Sequence, residues 1–114
     1  MQNVRKEVEL NLTITGRHFD VTSALKNYVE EKLGKLQRYA SDIISIHVIL
    51  EMEKHTAVAE INLAMKRYHI NVKERSEDMY AAIDKAFDVV KNQLLRHEQK
   101  IKSHRVKKEE EIGG

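Results

Sequence analysis

The chain has 114 residues, no cysteine, no proline, 33% charged residues, 5% aromatics and a formal net charge of only +2. That length suits one domain burying roughly 60–70% of its unfolded surface, an aliphatic core under a solvated exterior. The lack of cysteine excludes disulfide scaffolds, thiolate zinc sites and cysteine nucleophiles. No apolar run reaches the ~18 residues of a membrane span, and charges stand where a signal peptide would be apolar, so a cytoplasmic protein is expected.

Residues 1–8 read as an extended or frayed lead-in. Over residues 9–15, Leu10, Leu12 and Ile14 alternate with Asn11 and Thr13 before Gly16, the pattern of a half-buried strand. Thr22 suits the N-cap of a helix over about 23–39, whose core stripe is Leu25, Val29, Leu33 and Leu36. Tyr28, Lys32, Lys35 and Tyr39 line one flank, where lysine stems must cross apolar surface to bring their ammonium groups to water or an anion.

Residues 43–53 form the clearest strand. Ile44, Ile46, Val48, Leu50 and Met52 are expected inward, with Ser45, His47, Glu51 and Glu53 outward among Ile43 and Ile49. Glu53-Lys54-His55 makes a hairpin turn into a third strand over 56–66, with Ala57, Ala59, Ile61, Leu63 and Met65 inside. A turn near Lys66-Arg67 leads to a fourth over about 68–75, built on Tyr68, Ile70 and Val72.

Ser76 is expected to cap the last helix, with Glu77 and Asp78 at the positive end of its dipole. Met79, Ile83, Phe87, Val90, Leu94 and Ile101 form its stripe. A helix reaching about His104 spans roughly 40 Å, longer than a four-stranded sheet is wide, so its basic end should project past the core. Residues 105–114 are expected to be a disordered charged tail, leaving 9–104 as the domain. The order β-α-β-β-β-α, with each strand apolar on one face, predicts an α/β two-layer sandwich. Its four-stranded mixed sheet carries both helices on one face and leaves the other wet. Strands one and two are parallel if they are neighbours, by the right-handed crossover rule.

No catalytic constellation emerges. His18, His47, His55 and His69 fall in loops or on the wet face, and His97 and His104 share a helix side without a third ligand. Asp84 and Asp88 are flanked by Lys85 and Lys91 and read as a solvated helix face; Gly16 is a lone glycine, no phosphate cradle. No catalytic residue, metal, cofactor or small-molecule substrate is therefore expected. Charge is more informative: residues 85–108 hold eight Lys/Arg against two acids, a net +6 in a chain of +2. Both helices share it, through Lys26, Lys32, Lys35 and Arg38 on the first and Lys85, Lys91, Arg96 and Lys100 on the second. A two-helix basic face points to a polyanion. The strands lack the aromatic pair of an RNA-recognition-motif sheet and there is no Gly-x-x-Gly clamp, so RNA would be read through its phosphates and shape, in a salt-sensitive way. Two alternatives stand beside this: basic faces serving solubility, and a protein-interaction or self-association module acting through the wet sheet face, where Ile43 and Ile49 are expected.

The segments Leu12-Thr13-Ile14-Thr15-Gly16, Val21-Thr22-Ser23-Ala24-Leu25-Lys26, Glu31-Lys32-Leu33-Gly34-Lys35-Leu36 and Glu77-Asp78-Met79-Tyr80-Ala81-Ala82-Ile83-Asp84 resemble the ribosome hibernation promoting factor family. That family includes the cold-shock ribosome-associated inhibitor and the sigma-54 modulation proteins. The resemblance covers about residues 10–104, in order and with matching spacing. It implies a domain shaped like double-stranded-RNA-binding domains, lodged between head and body of the small ribosomal subunit. There it would cover the mRNA channel and the aminoacyl- and peptidyl-tRNA sites, inhibit translation in stationary phase or stress, and preserve idle ribosomes, often as ribosome dimers made with a second hibernation factor. The family's ribosomal-RNA contacts carry over onto Lys26, Lys32, Lys35, Arg96, Lys100 and Lys102. The chain departs from the family at Val89 and Asn92, where many members have cations, while Lys85 and Lys91 offer charge elsewhere. Tyr80 and Asp84 match the family and read as structural. Long members continue into a dimerising domain and short ones stop here; Glu109-Glu110-Glu111 and the residues after it fit either.

Overall fold

Six elements follow the expected order: β1 (Asn11–Arg17), α1 (Ser23–Leu36), β2 (Ile43–Glu53), β3 (Thr56–Met65), β4 (His69–Ser76) and α2 (Met79–Gly113). The structure, a computed structural model, describes residues 11–40 and 42–113, with side-chain environments through His97. The expected lead-in over 1–8, and Leu10 with it, lies outside the described residues. The strands form one sheet in the order β1-β2-β3-β4, with β1 parallel to β2 and the other pairs antiparallel. The parallel pair follows from α1, which carries the chain back across the sheet as a crossover.

Both helices lie on one face. Leu25, Val29, Leu33 and Leu36 of α1 join Met79, Ile83, Phe87, Val90 and Leu94 of α2 in a single core with Ile46, Val48, Leu50, Ile61, Leu63 and Ile70 of the sheet. Every apolar residue of the α1 stripe is buried as its spacing predicts. Leu94 is the last core residue of α2 among the described side chains, and Ile101 lies beyond them. The helix continues to Gly113, past the expected end near His104. No proline or glycine interrupts residues 79–112, so nothing in the backbone chemistry stops it earlier.

Two local expectations change. Ile43 is buried at 8% exposure while Ile44 is 49% exposed, the reverse of the predicted phase. A register irregularity between Ile43 and Ser45 is the cause. One extra residue on β2 flips the inside–outside alternation at its start, after which Ile46, Val48 and Leu50 point inward as predicted. The α2 cap also moves. β4 runs through Ser76, and the Asp78 carboxylate accepts the Ala81 amide at 3.1 Å while the Asp78 carbonyl accepts the Ala82 amide at 2.9 Å. Asp78 wins over Ser76 because its charge adds a dipole interaction to the capping hydrogen bond. Asp78→Ala is expected to cost about 1 kcal/mol in urea unfolding, and Ser76→Ala much less.

The outer sheet face is polar in a particular way. Val58 is 1% exposed and Ile49 8% exposed although no helix covers them. Around them Arg17 pairs with Glu51 and Arg75 with Glu53, each at 3.5 Å, and Asn71 donates to Glu60 at 3.0 Å.

Gly16, the last residue but one of β1, is under a tight constraint, since a Cβ there would run into the Phe19 carbonyl oxygen of the following turn. That turn delivers the chain to Thr22, whose hydroxyl accepts the Leu25 amide at 3.2 Å and caps α1.

Candidate nucleic-acid interface

The two helices meet along the flank of α1 that carries Tyr28, Lys32 and Lys35. Three contacts define the seam. The Tyr28 hydroxyl donates to Asp84 Oδ1 at 2.6 Å, Lys32 Nζ lies 2.9 Å from the same oxygen, and Tyr80 packs edge-on against Tyr28 with centroids 4.9 Å apart. Asp84 is thus not a free carboxylate on a solvated face: though partly exposed, it clasps the neighbouring helix, in keeping with the structural role expected of it. Burial would raise its carboxyl pKa, but the hydrogen bonds from Tyr28 and Lys32 outweigh that and hold it below the ordinary carboxylate range. The same hydrogen bond, with burial second, pushes the Tyr28 hydroxyl up to about 12.

Beyond the clasp the seam opens into a groove lined by Lys32, Lys35, Leu36, Tyr39, Phe87, Asp88 and Lys91. Its floor is apolar and its rim cationic. Lys91 Nζ sits 5.3 Å from the Tyr39 ring centroid, a cation–π contact that aims an ammonium across the groove. Lys32 is engaged by Asp84, and Asp88 stands in the wall, so Lys35 and Lys91 are the cations this groove offers an anion.

Of the nine basic residues singled out in the sequence, the seven with described side chains do not form one continuous face. Lys32, Lys35 and Lys91 come together. Lys26 is exposed but lies about 120° round α1 from Lys32. Arg38 is exposed in the turn after α1, with its amide donating to the Lys35 carbonyl at 3.2 Å. On α2, Lys85 is about 120° from Lys91, while Arg96 is within about 20° of Lys85. Lys85 and Arg96 therefore share the flank away from α1. Lys85 Nζ donates to the Arg75 carbonyl at 3.0 Å, tying α2 to the end of β4. Arg96 lines a second cleft with Tyr68, Gln93 and His97. Lys100 and Lys102 lie outside the described side chains. Val89 is packed against the core and Asn92 is exposed on the flank away from α1, so neither faces the groove.

Sequence reasoning missed two contacts, Tyr39 with Lys91 and Tyr68 with His97, whose rings stack at 4.1 Å and 7°. Each joins positions far apart in the chain, and no local pattern marks such pairs. Among the described residues no three His, Asp or Glu side chains converge as metal ligands would. No described helix is long and apolar enough to cross a membrane.

Residues 12–102 match the family described as "Sigma 54 modulation protein / S30EA ribosomal protein". A ribosome hibernation promoting factor of Salmonella typhimurium is 37% identical over 95 residues, covering 83% of this chain and 100% of that protein. One of Azotobacter vinelandii is 38% identical over 91 residues, covering 80% and 85%. Among solved structures, the Thermus thermophilus Protein Y N-terminal domain superposes with a TM-score of 0.71 at 36% identity, covering 77% of this chain and 99% of that one. A ribosomal subunit interface protein from Coxiella burnetii gives 0.75 at 27% identity, covering 79% and 99%. The match runs from β1 to residue 102 of α2 and takes in the capping Asp78, the clasp and the groove. The chain belongs to the Sigma 54 modulation protein / S30EA ribosomal protein family.

Proposed function

We propose that this protein is a ribosome hibernation factor that acts in the cytoplasm without catalysing a reaction. It binds the small ribosomal subunit through ribosomal-RNA phosphates in the decoding channel, excludes mRNA and tRNA by bulk, and inhibits translation in stationary phase or stress. The observation that carries this reading is the inter-helix groove. Lys35 and Lys91 flank an apolar floor on a seam held by Tyr28, Lys32 and Asp84, within a chain 37% identical to a ribosome hibernation promoting factor. Preset ammonium groups on a rigid two-helix layer suit phosphates and carry no base-reading chemistry. Ribosome dimers, or a second hibernation factor, are further partners consistent with the family.

The sheet-face alternative loses the two residues it was built on, while Ile44 stands 49% exposed at the start of β2. Ile43 belongs to the core beneath the helices, and Ile49 is 8% exposed among ion-paired side chains. Co-sedimentation tests the proposal. The protein is expected to travel with small subunits, to lose affinity linearly in log salt, and to compete with mRNA and tRNA in a cell-free translation assay. Co-sedimentation that leaves mRNA and tRNA binding unaffected would sink the decoding-channel assignment.

A further inference from the structure

The cleft at the opposite flank of α2 is not part of the groove, and its chemistry differs. Tyr68, in the turn between β3 and β4, stacks on His97 with centroids 4.1 Å apart and rings 7° from parallel. The turn is held by the Met65 amide donating to the Tyr68 carbonyl at 2.8 Å. Gln93 and Arg96 complete the lining. The cleft has a volume of ≈ 300 Å³, at the lower end of the ~300–1,000 Å³ range of small-ligand sites. Lys66 and Arg67, both exposed, precede Tyr68 in the same turn.

An aromatic stack, a side-chain amide and a guanidinium converging on one cleft are the groups that hold an unpaired nucleotide. Rings supply a sequence-tolerant stacking surface, an amide donates to and accepts from a base edge, and a cation takes the phosphate. Packing alone explains less. A stack that only closed the end of the core would need neither an open cleft beside it nor an exposed guanidinium on its wall. The outer sheet face offers nothing equivalent, since no aromatic pair stands on it among the described residues.

We infer that this cleft seats one unpaired nucleotide, with its base against the Tyr68–His97 stack and its phosphate on Arg96. The inference deepens the ribosomal-RNA reading and rests on it for the source of the nucleotide, though the chemistry would also accept a free one. It gives the protein a second contact of a different kind, a base held by stacking at the far side of α2 from the phosphate-binding groove.

Two arms separate the sources. In the first, Tyr68→Leu is expected to weaken binding to small subunits about 5- to 100-fold, the span of one lost base stack, while Tyr68→Phe keeps most of the affinity. In the second, adenosine monophosphate at millimolar concentration is expected to shift the Tyr68 and His97 ring resonances in NMR spectra of the wild type and not to perturb that region in Tyr68→Leu. Leucine preserves the apolar packing, and amide spectra of the variant verify its fold. Loss in the first arm places the nucleotide in ribosomal RNA. Loss in the second alone marks a free-nucleotide site, and the inference holds even if the wild type fails to bind subunits. Unchanged subunit affinity together with no nucleotide-induced shift overturns it.

Discussion

Reversing two charges, Lys35→Glu with Lys91→Glu, is expected to lower affinity for small ribosomal subunits by about 10²–10³-fold at ~0.1 M salt while leaving the domain folded. These are the groove cations not already engaged by a carboxylate, because Lys32 is held at 2.9 Å by Asp84. Each phosphate contact contributes ~0.7–0.9 to the slope of log affinity against log salt, so the slope should shrink by about 1.4–1.8. Reversal also adds repulsion to Asp88 in the same wall, which is why the loss exceeds that of two neutral replacements. Glutamine at both positions should therefore fall between variant and wild type. The stability cost is small, since Lys35 is exposed and Lys91 gives up a cation–π contact of about 0.5–1 kcal/mol. Filter binding across a salt series reads both quantities. An unchanged slope would show that the groove does not meet phosphate.

Asp84→Ala is expected to cost about 2 kcal/mol near pH 7, or roughly 8–15 °C in Tm. Two donors converge on this carboxylate, from Tyr28 at 2.6 Å and Lys32 at 2.9 Å. A hydrogen bond to a charged group contributes about 1.5–3 kcal/mol when buried. Here the Asp84 side chain is 42% exposed, and the Lys32 contact is discounted heavily for solvent screening. Tyr28→Phe, which deletes one donor and keeps the packing on Tyr80, should cost about 1 kcal/mol.

The pH dependence has a definite sign. Asp84 titrates below its unfolded value of ~3.9, so its contribution is complete above that value and is lost as pH falls through the folded pKa. The difference between wild type and Asp84→Ala should shrink as the solution is acidified below about pH 4. Tyr28 has the opposite sense. Its hydroxyl is raised to about 12, so its contribution is complete below its unfolded value of ~10 and is lost as pH rises toward 12. Urea unfolding of both proteins at pH 7 and pH 3 is the measurement. Equal destabilisation at both would mean that Asp84 matters only by its shape. Because the clasp sets the spacing of the helices that carry Lys35 and Lys91, Asp84→Ala should also weaken subunit binding severalfold.

Element order, sheet composition, the α1 stripe and both helices' placement on one face were legible along the chain, because each rests on residues close in sequence. Leu25, Val29, Leu33 and Leu36 repeat at helical spacing, and Ala57, Ala59, Ile61 and Leu63 alternate. Where two local patterns competed, the choice required hydrogen-bond register. Ile43-Ile44-Ser45-Ile46 reads equally well in either phase, and the irregularity between Ile43 and Ser45 selects the buried residue. Ser76 and Asp78 are both cap residues by type, and β4 uses the first.

The candidate site divides in the same way. The amino-acid sequence by itself established which basic residues are the candidates, that the helices carry all of them but Arg38, and the family. It also contained the separation of Lys85 from Lys91, which six residues of helix put about 120° apart. Only the tertiary structure decided which flank of α2 meets α1. That choice gathers Lys32, Lys35 and Lys91 round one groove, spends Lys32 on Asp84, and sends Arg96 to Tyr68 and His97 on the other side. The physical reason is that helical spacing fixes angles about one axis, while the distance between two axes depends on how their apolar stripes share the same sheet. Here β3 and β4 seat α2, and α1 crosses back from β1 to β2. The line where those helices meet turns a dispersed set of cations into a site.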